Sequence, residues 1–189
     1  MRPSAVVFLA PVLCLGADWS VDIEQVTHGP EHHFFGYIGH AKTIPWNQSG
    51  RYMLTLRTRF QDHMPAANDA ADVAVIDTRD NNRVVVLDRT RAWNFQQGTM
   101  FYWNPEAPET QFFFNDRDVA SNQVFAVLYD VAARKRIREF RYRDTPFGNS
   151  GVSPAGGSFL GLNYGRMAHS AAGDRLSSAH GGARHRRQR

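Results

Sequence analysis

His28, Glu31, His32, His33, His40, Asp62 and His63 fall within a run of 36 residues. Imidazoles and carboxylates are the donors that hold borderline divalent ions such as Mn, Fe or Zn. His33, His40 and His63 are the candidate metal ligands, because neighbouring loops of one repeated unit would bring them to the same edge. Alternation along an extended strand sends His32 and His33 to opposite faces, so at most one of the two can serve a given site. The run contains no His-x-x-x-His helix and no Cys pair, and each histidine has a second reading as a hydrogen-bonded structural residue or part of a plain surface loop. A cationic cluster stands beside it: Arg57, Arg59, Arg89 and Arg91 sit near strand ends, where a guanidinium can grip a carboxylate through two parallel hydrogen bonds. Arg57 and Arg59 are the candidate ligand-binding pair. Arginine at a strand edge also serves to discourage edge-to-edge association. Trp93, Phe95, Phe101, Tyr102 and Trp103 could stack on sugar rings, but at strand positions they read as core. A Gly-x-Ser-x-Gly elbow is absent from the sequence, which removes that class of serine hydrolase.

The elements that must position these residues repeat along the chain. Trp46-Asn47-Gln48-Ser49-Gly50, Trp103-Asn104-Pro105-Glu106-Ala107 and Val152-Ser153-Pro154-Ala155-Gly156 are variants of one phrase, each followed by an apolar run. A period of about 50 to 60 residues marks a modular array whose units bury their faces against neighbours. Residues 51–58, 111–114 and 158–162 read as second strands, residues 72–77 and 123–130 as third strands each closing on an aspartate, and residues 83–87 and 136–142 as fourth strands. The aspartates, Asp77 and Asp130, are placed to bond their own backbone in the following turn. Residues 21–27 read as one further, isolated strand. The expected fold class is all-β: a partial β-propeller of antiparallel four-stranded blades, with about two complete blades and part of a third. A β-sandwich with coincidental turn signals is the alternative.

Over about residues 19–167 these phrases resemble the Trp-Ser-Pro-Asp-Gly turns of bacterial TolB-like and WD40-like β-propellers. The copies are degenerate: Trp46 lacks the proline two places on, the second copy has Glu106-Ala107 in place of Asp-Gly, and the third lacks the tryptophan. The resemblance implies that the phrase joins the innermost strand of a blade to its second, with His40 opening the innermost strand of the first blade. It also implies further blades beyond this chain, which reads as the N-terminal portion of a longer protein. His32-His33-Phe34-Phe35 at the entrance to the first blade is similar to the oligogalacturonate lyase propellers, which cleave pectin fragments by metal-assisted β-elimination. In that family the metal-binding histidines lie mainly in later blades, so no ligand carries over to a position here.

The chain ends differ from the middle. Residues 5–17 form a stretch of 13 mostly apolar residues after Met1-Arg2, ending on small side chains, which reads as a signal peptide over residues 1–17. A spanning helix needs about 20 apolar residues, so no membrane span is expected; a buried first strand is the other reading. Cys14, the single cysteine, lies inside that segment. A mature chain starting near Asp18 would carry no thiol, which is compatible with a periplasmic or secreted protein. From Ala168 the chain is mostly Ala, Gly, Ser, His and Arg with Leu176 as its one large apolar residue, which reads as a disordered basic tail over residues 168–189. Five arginines against Asp174 give that tail the whole formal charge of the protein, +4. The remainder is neutral, so no nucleic-acid partner is expected of residues 18–167. The expected function is an exported propeller module that recognises a glycan, peptide or protein at its channel mouth. The alternative is a metal-dependent lyase acting on oligouronides.

Overall fold

The structure, a computed structural model, describes residues 20–36, 43–143 and 145–166. Ten strands form three antiparallel sheets: β1 (His32–Phe34), β2 (Tyr52–Thr58), β3 (Ala71–Asp77) and β4 (Arg83–Thr90) in the first; β5 (Tyr102–Trp103), β6 (Gln111–Arg117), β7 (Val124–Asp130) and β8 (Lys135–Phe140) in the second; β9 (Gly148–Val152) and β10 (Phe159–Leu162) in the third. In both four-stranded sheets the strands lie side by side in chain order, as expected where short turns join each to the next. The all-β expectation holds, with two four-stranded sheets and a two-stranded third. Among the described residues, no helix is long and apolar enough to cross a membrane.

Period-two alternation decides which face each strand buries. Leu54 and Leu56 of β2 and Val73 and Val75 of β3 share one core with Phe112 and Phe114 of β6 and Val127 and Tyr129 of β7. The first two sheets therefore pack face to face through aliphatic residues of one and aromatic residues of the other. Fully burying each such side chain contributes about 1.5–3 kcal/mol. Polar links cross the same interface. Tyr129 donates its hydroxyl to the Leu87 carbonyl at 3.0 Å, and Thr90 donates to the Asn115 carbonyl at 2.7 Å. Arg136 of β8 reaches Asp88 of β4 at 2.7 Å and Asp116 of β6 at 2.8 Å, tying the two sheets together electrostatically. The opposite face of the second sheet meets the third: Phe113 and Phe140 pack on Phe159. There the buried Asn149 backbone donates to the Asn115 side chain at 2.7 Å, and the Asn115 amide returns a bond to the Asn149 carbonyl at 3.0 Å.

The repeated phrase is a repeated turn. Asn47, Asn104 and Ser153 each donate their backbone N–H to the residue that opens the next strand or immediately precedes it: Tyr52 at 2.9 Å, Gln111 at 2.8 Å and Ser158 at 2.9 Å. Each also accepts, on its own carbonyl, the N–H three residues on, from Gly50, Ala107 and Gly156 at 3.0, 3.0 and 2.9 Å. Their side-chain oxygens bond nearby N–H groups of the same turn, which is why a short polar residue stands there. Gly50 and Gly156 have φ of 72° and 73°, a conformation a side chain disfavours. The middle copy takes two more residues to reach its strand and carries Ala107 with no such angle, which accounts for its loss of glycine. The strand-closing aspartates also behave alike: Asp77 accepts the Arg79 N–H at 3.2 Å and Asp130 the Ala133 N–H at 2.8 Å.

Two expectations need correction. Residues 21–27 form no strand; Val21 and Ile23 are largely exposed, and no backbone among the described residues completes a ladder with them. The strand beside β2 is supplied in two pieces rather than by one strand leading directly into the phrase. His32–Phe34 pairs with Leu56 to Thr58, and residues 45–47 pair with the start of β2 through the Trp46–Met53 bridge and the Leu54 N–H to Pro45 carbonyl bond of 2.9 Å. His32 and His33 are thus strand residues. His40, residues 1–17, expected as a signal peptide, and residues 168–189, expected as a disordered basic tail, lie outside the described residues.

Candidate functional site

The C-terminal ends of β2 and β4 and the N-terminal end of β3 meet at one edge of the first sheet, and there a cleft of about 350 Å3 opens. Antiparallel register brings its charges together. Asp72 stands opposite Arg57 on one side and Arg89 on the other. Arg57 donates from Nε and Nη2 to Asp72 Oδ2 at 3.0 and 2.7 Å, while Arg89 Nε lies 3.3 Å from Oδ1. One carboxylate is therefore shared between two guanidinium groups. Arg59 and Glu31 also line the cleft; Arg59 is exposed and forms no ion pair with another described residue. Phe60 forms the apolar wall, held by tilted or edge contacts with Trp93 and Phe95. The site combines one free cation, two cations sharing an anion, a second carboxylate in Glu31 and an apolar wall, a net positive lining that suits a ligand bearing a carboxylate on an otherwise neutral body.

The predicted residues are thus partly brought together. Arg57 and Arg59 share the cleft. Arg91 does not line it; its backbone N–H caps Asp116 at 3.0 Å. His33 is the cross-strand neighbour of Arg57. Both of its ring nitrogens are buried without a hydrogen-bond partner. Burial first, and the Arg57 charge second, hold its imidazole below its usual range, so it is neutral at pH 7. His63 lies in the loop after β2, stacked on Phe60 with centroids 4.3 Å apart. It meets Asp62 Oδ1 through Nδ1 at 2.7 Å, and that hydrogen bond is the main cause holding the Asp62 carboxyl low. Among the described residues, no three His, Cys, Asp or Glu side chains converge to hold a metal. His40, the third proposed ligand, is not among them.

Sequence reasoning did not single out Asp72, although it organises the cleft. A lone aspartate in a strand carries no motif; its position opposite both Arg57 and Arg89 becomes visible once the register is known. Trp93 and Phe101 have the core role expected of them, and the Trp93 indole N–H is satisfied by the Asp69 carbonyl at 2.8 Å. No family profile, curated protein or solved structure matches the chain.

Proposed function

We propose that this chain is a ligand-recognition module, a partial β-propeller that binds an acidic glycan through the arginine cleft at the edge of its first sheet. The observation carrying this reading is the convergence of Arg57 and Arg89 on Asp72 with Arg59 unpaired beside them. A uronate carboxylate entering the cleft meets Arg59 directly and competes with Asp72 for the other two guanidinium groups. Phe60, whose ring is stacked with His63, supplies the apolar wall against which a sugar ring packs. The propeller arrangement is supported by the three equivalent turns and by the face-to-face stacking of successive sheets. Export to the periplasm or outside the cell remains part of the proposal, resting on the composition of residues 1–17.

Binding is favoured over lyase chemistry by the state of the candidate bases. β-Elimination needs a base within hydrogen-bond reach of the substrate proton. The His33 ring nitrogens are buried, and neither His33 nor the Asp62-paired His63 lines the cleft where the carboxylate would sit. The test is calorimetric titration of the full chain with trigalacturonate and with neutral trigalactose at low salt. A charge-assisted pair contributes about 1.5–3 kcal/mol, so Arg59→Gln is expected to weaken trigalacturonate binding by about tenfold or more. Equal binding of the neutral sugar, or an unchanged affinity in Arg59→Gln, would remove the reading; unsaturated product absorbing near the ultraviolet would favour the lyase.

A further inference from the structure

A second cavity, of about 120 Å3, lies where the loop at residues 91–98 meets the end of β6. Its polar lining comes from Asn94, Gln97, Thr99, Asn115, Arg117 and Tyr164, and its apolar wall includes Trp93 and Val124. Among the described residues, no carboxylate lines it. Arg117 ends β6 between two acids that are both engaged elsewhere: Asp116 with Arg136 at 2.8 Å, and Asp118 with Ser121 at 2.8 Å and Arg141 at 3.6 Å. The Arg117 Nε–H is buried and has no hydrogen-bond partner, and its one side-chain bond is a long contact of 3.4 Å from Nη1 to Asn122. Leaving a buried guanidinium N–H unpaired is costly. The neighbouring amides add free donors: Asn94 uses its Oδ1 to accept the Gln97 N–H at 2.6 Å, and neither the Asn94 Nδ2 nor the Gln97 side chain bonds another described residue.

We infer that this cavity binds a small monocarboxylate, with the anion on Arg117 and the amide donors and a short alkyl part against Trp93 and Val124. Charge and size both point there. A site whose described lining holds one cation and no anion favours a single negative charge, and a planar carboxylate matches the guanidinium fork. The volume sets the size. A cavity of about 150 Å3 accommodates benzene, so this one takes an anion of about four to six non-hydrogen atoms. The site shares no lining residue with the arginine cleft and stands independently of the glycan reading.

Propionate and its neutral isostere propionamide are the probes, titrated into the full isotope-labelled chain while the side-chain amide resonances of Asn94 and Gln97 are followed. Propionate is expected to shift both resonances saturably, and propionamide to bind at least tenfold more weakly. Arg117→Gln should weaken propionate by tenfold or more. Because that variant removes a partly buried side chain, Asn94→Asp serves as the second: it keeps the acceptor for the Gln97 N–H yet puts a negative charge in the cavity, and it should weaken propionate comparably with an unchanged melting temperature. Arg59→Gln should leave propionate binding unaltered. Equal affinity for the two probes, or wild-type affinity in both Arg117→Gln and Asn94→Asp, would overturn the assignment.

Discussion

Replacing Asp72 by Asn should increase the affinity of the arginine cleft for an acidic glycan, although the substitution deletes the residue at its centre. Asp72 occupies Arg57 Nε and Nη2 and faces Arg89, so it acts as an internal competitor for the ligand carboxylate. A carboxylate seated on Arg59 and the freed guanidinium groups would stand about 6 Å from the Asp72 charge; with an effective dielectric between about 40 and 80 for an open groove, Coulomb's law gives about 0.7–1.4 kcal/mol of repulsion. Removing it raises affinity by about three- to tenfold. The fold should tolerate the change, because the Arg57, Asp72 and Arg89 side chains are 31%, 21% and 67% exposed, and partly exposed pairs of this kind contribute about 1 kcal/mol or less each. Calorimetry with trigalacturonate at low ionic strength reads the gain, which should shrink at 0.5 M salt as screening sets in. A tenfold loss of affinity in Asp72→Asn would refute the reasoning, since it would mean that Asp72 positions the arginines for the ligand and does not compete with it.

Arg136→Met should destabilise the chain by about 2–4 kcal/mol in urea unfolding, because it strands Asp88 and the mostly buried Asp116 across the interface between the first two sheets. Burial alone would lower the Arg136 pKa, but its hydrogen bonds to those two carboxylates raise it, and adding Asp116→Asn should recover part of the loss. His33 should contribute a pH-dependent term. Its folded pKa lies below the unfolded value, so the unfolded chain binds the proton first and stability falls as pH drops below about 6.5. His33→Phe should reduce that slope between pH 7 and pH 5, and an identical slope in the variant would count against the burial argument. Asn47→Ala should cost about 1–3 kcal/mol, because the buried side chain accepts the Tyr52 N–H at 2.9 Å and donates to Glu109 at 2.8 Å, joining the first turn to the second. A loss confined to a few tenths of a kcal/mol would show that water replaces those bonds.

Much of the fold was legible because its signals are local. β2, β3, β4, β6, β7 and β8 follow from short apolar alternations bounded by turn residues, and their predicted ends lie within two residues of the observed ones for all but β4 and β6, which extend three residues further. The Asn47, Asn104 and Ser153 turns repeat because the same backbone path needs a short polar side chain at the same place. Arg57 and Arg59 were readable as a pair because both stand at the end of one strand, Arg57 within β2 and Arg59 just past its last residue, Thr58. The strands at residues 21–27 and 32–34 show the limit. The first has the composition of a strand and finds no partner among the described residues, whereas His32–Phe34 is too short to show a period and exists because Leu56 to Thr58 lie beside it.

What the amino-acid sequence by itself determined was therefore periodicity: an all-β chain of repeated turns, with its cations near strand ends. The tertiary structure decided partnership. Asp72 meets Arg57 and Arg89 through ladder register, Arg136 reaches Asp88 across two stacked sheets, and the Arg117 guanidinium has no carboxylate partner among the described residues because both neighbouring acids are engaged with other cations. None of these is encoded within one stretch of chain. Alternation specifies which face a residue occupies, but the residue it meets there depends on which faces bury the most apolar surface together, a property of the whole packed chain.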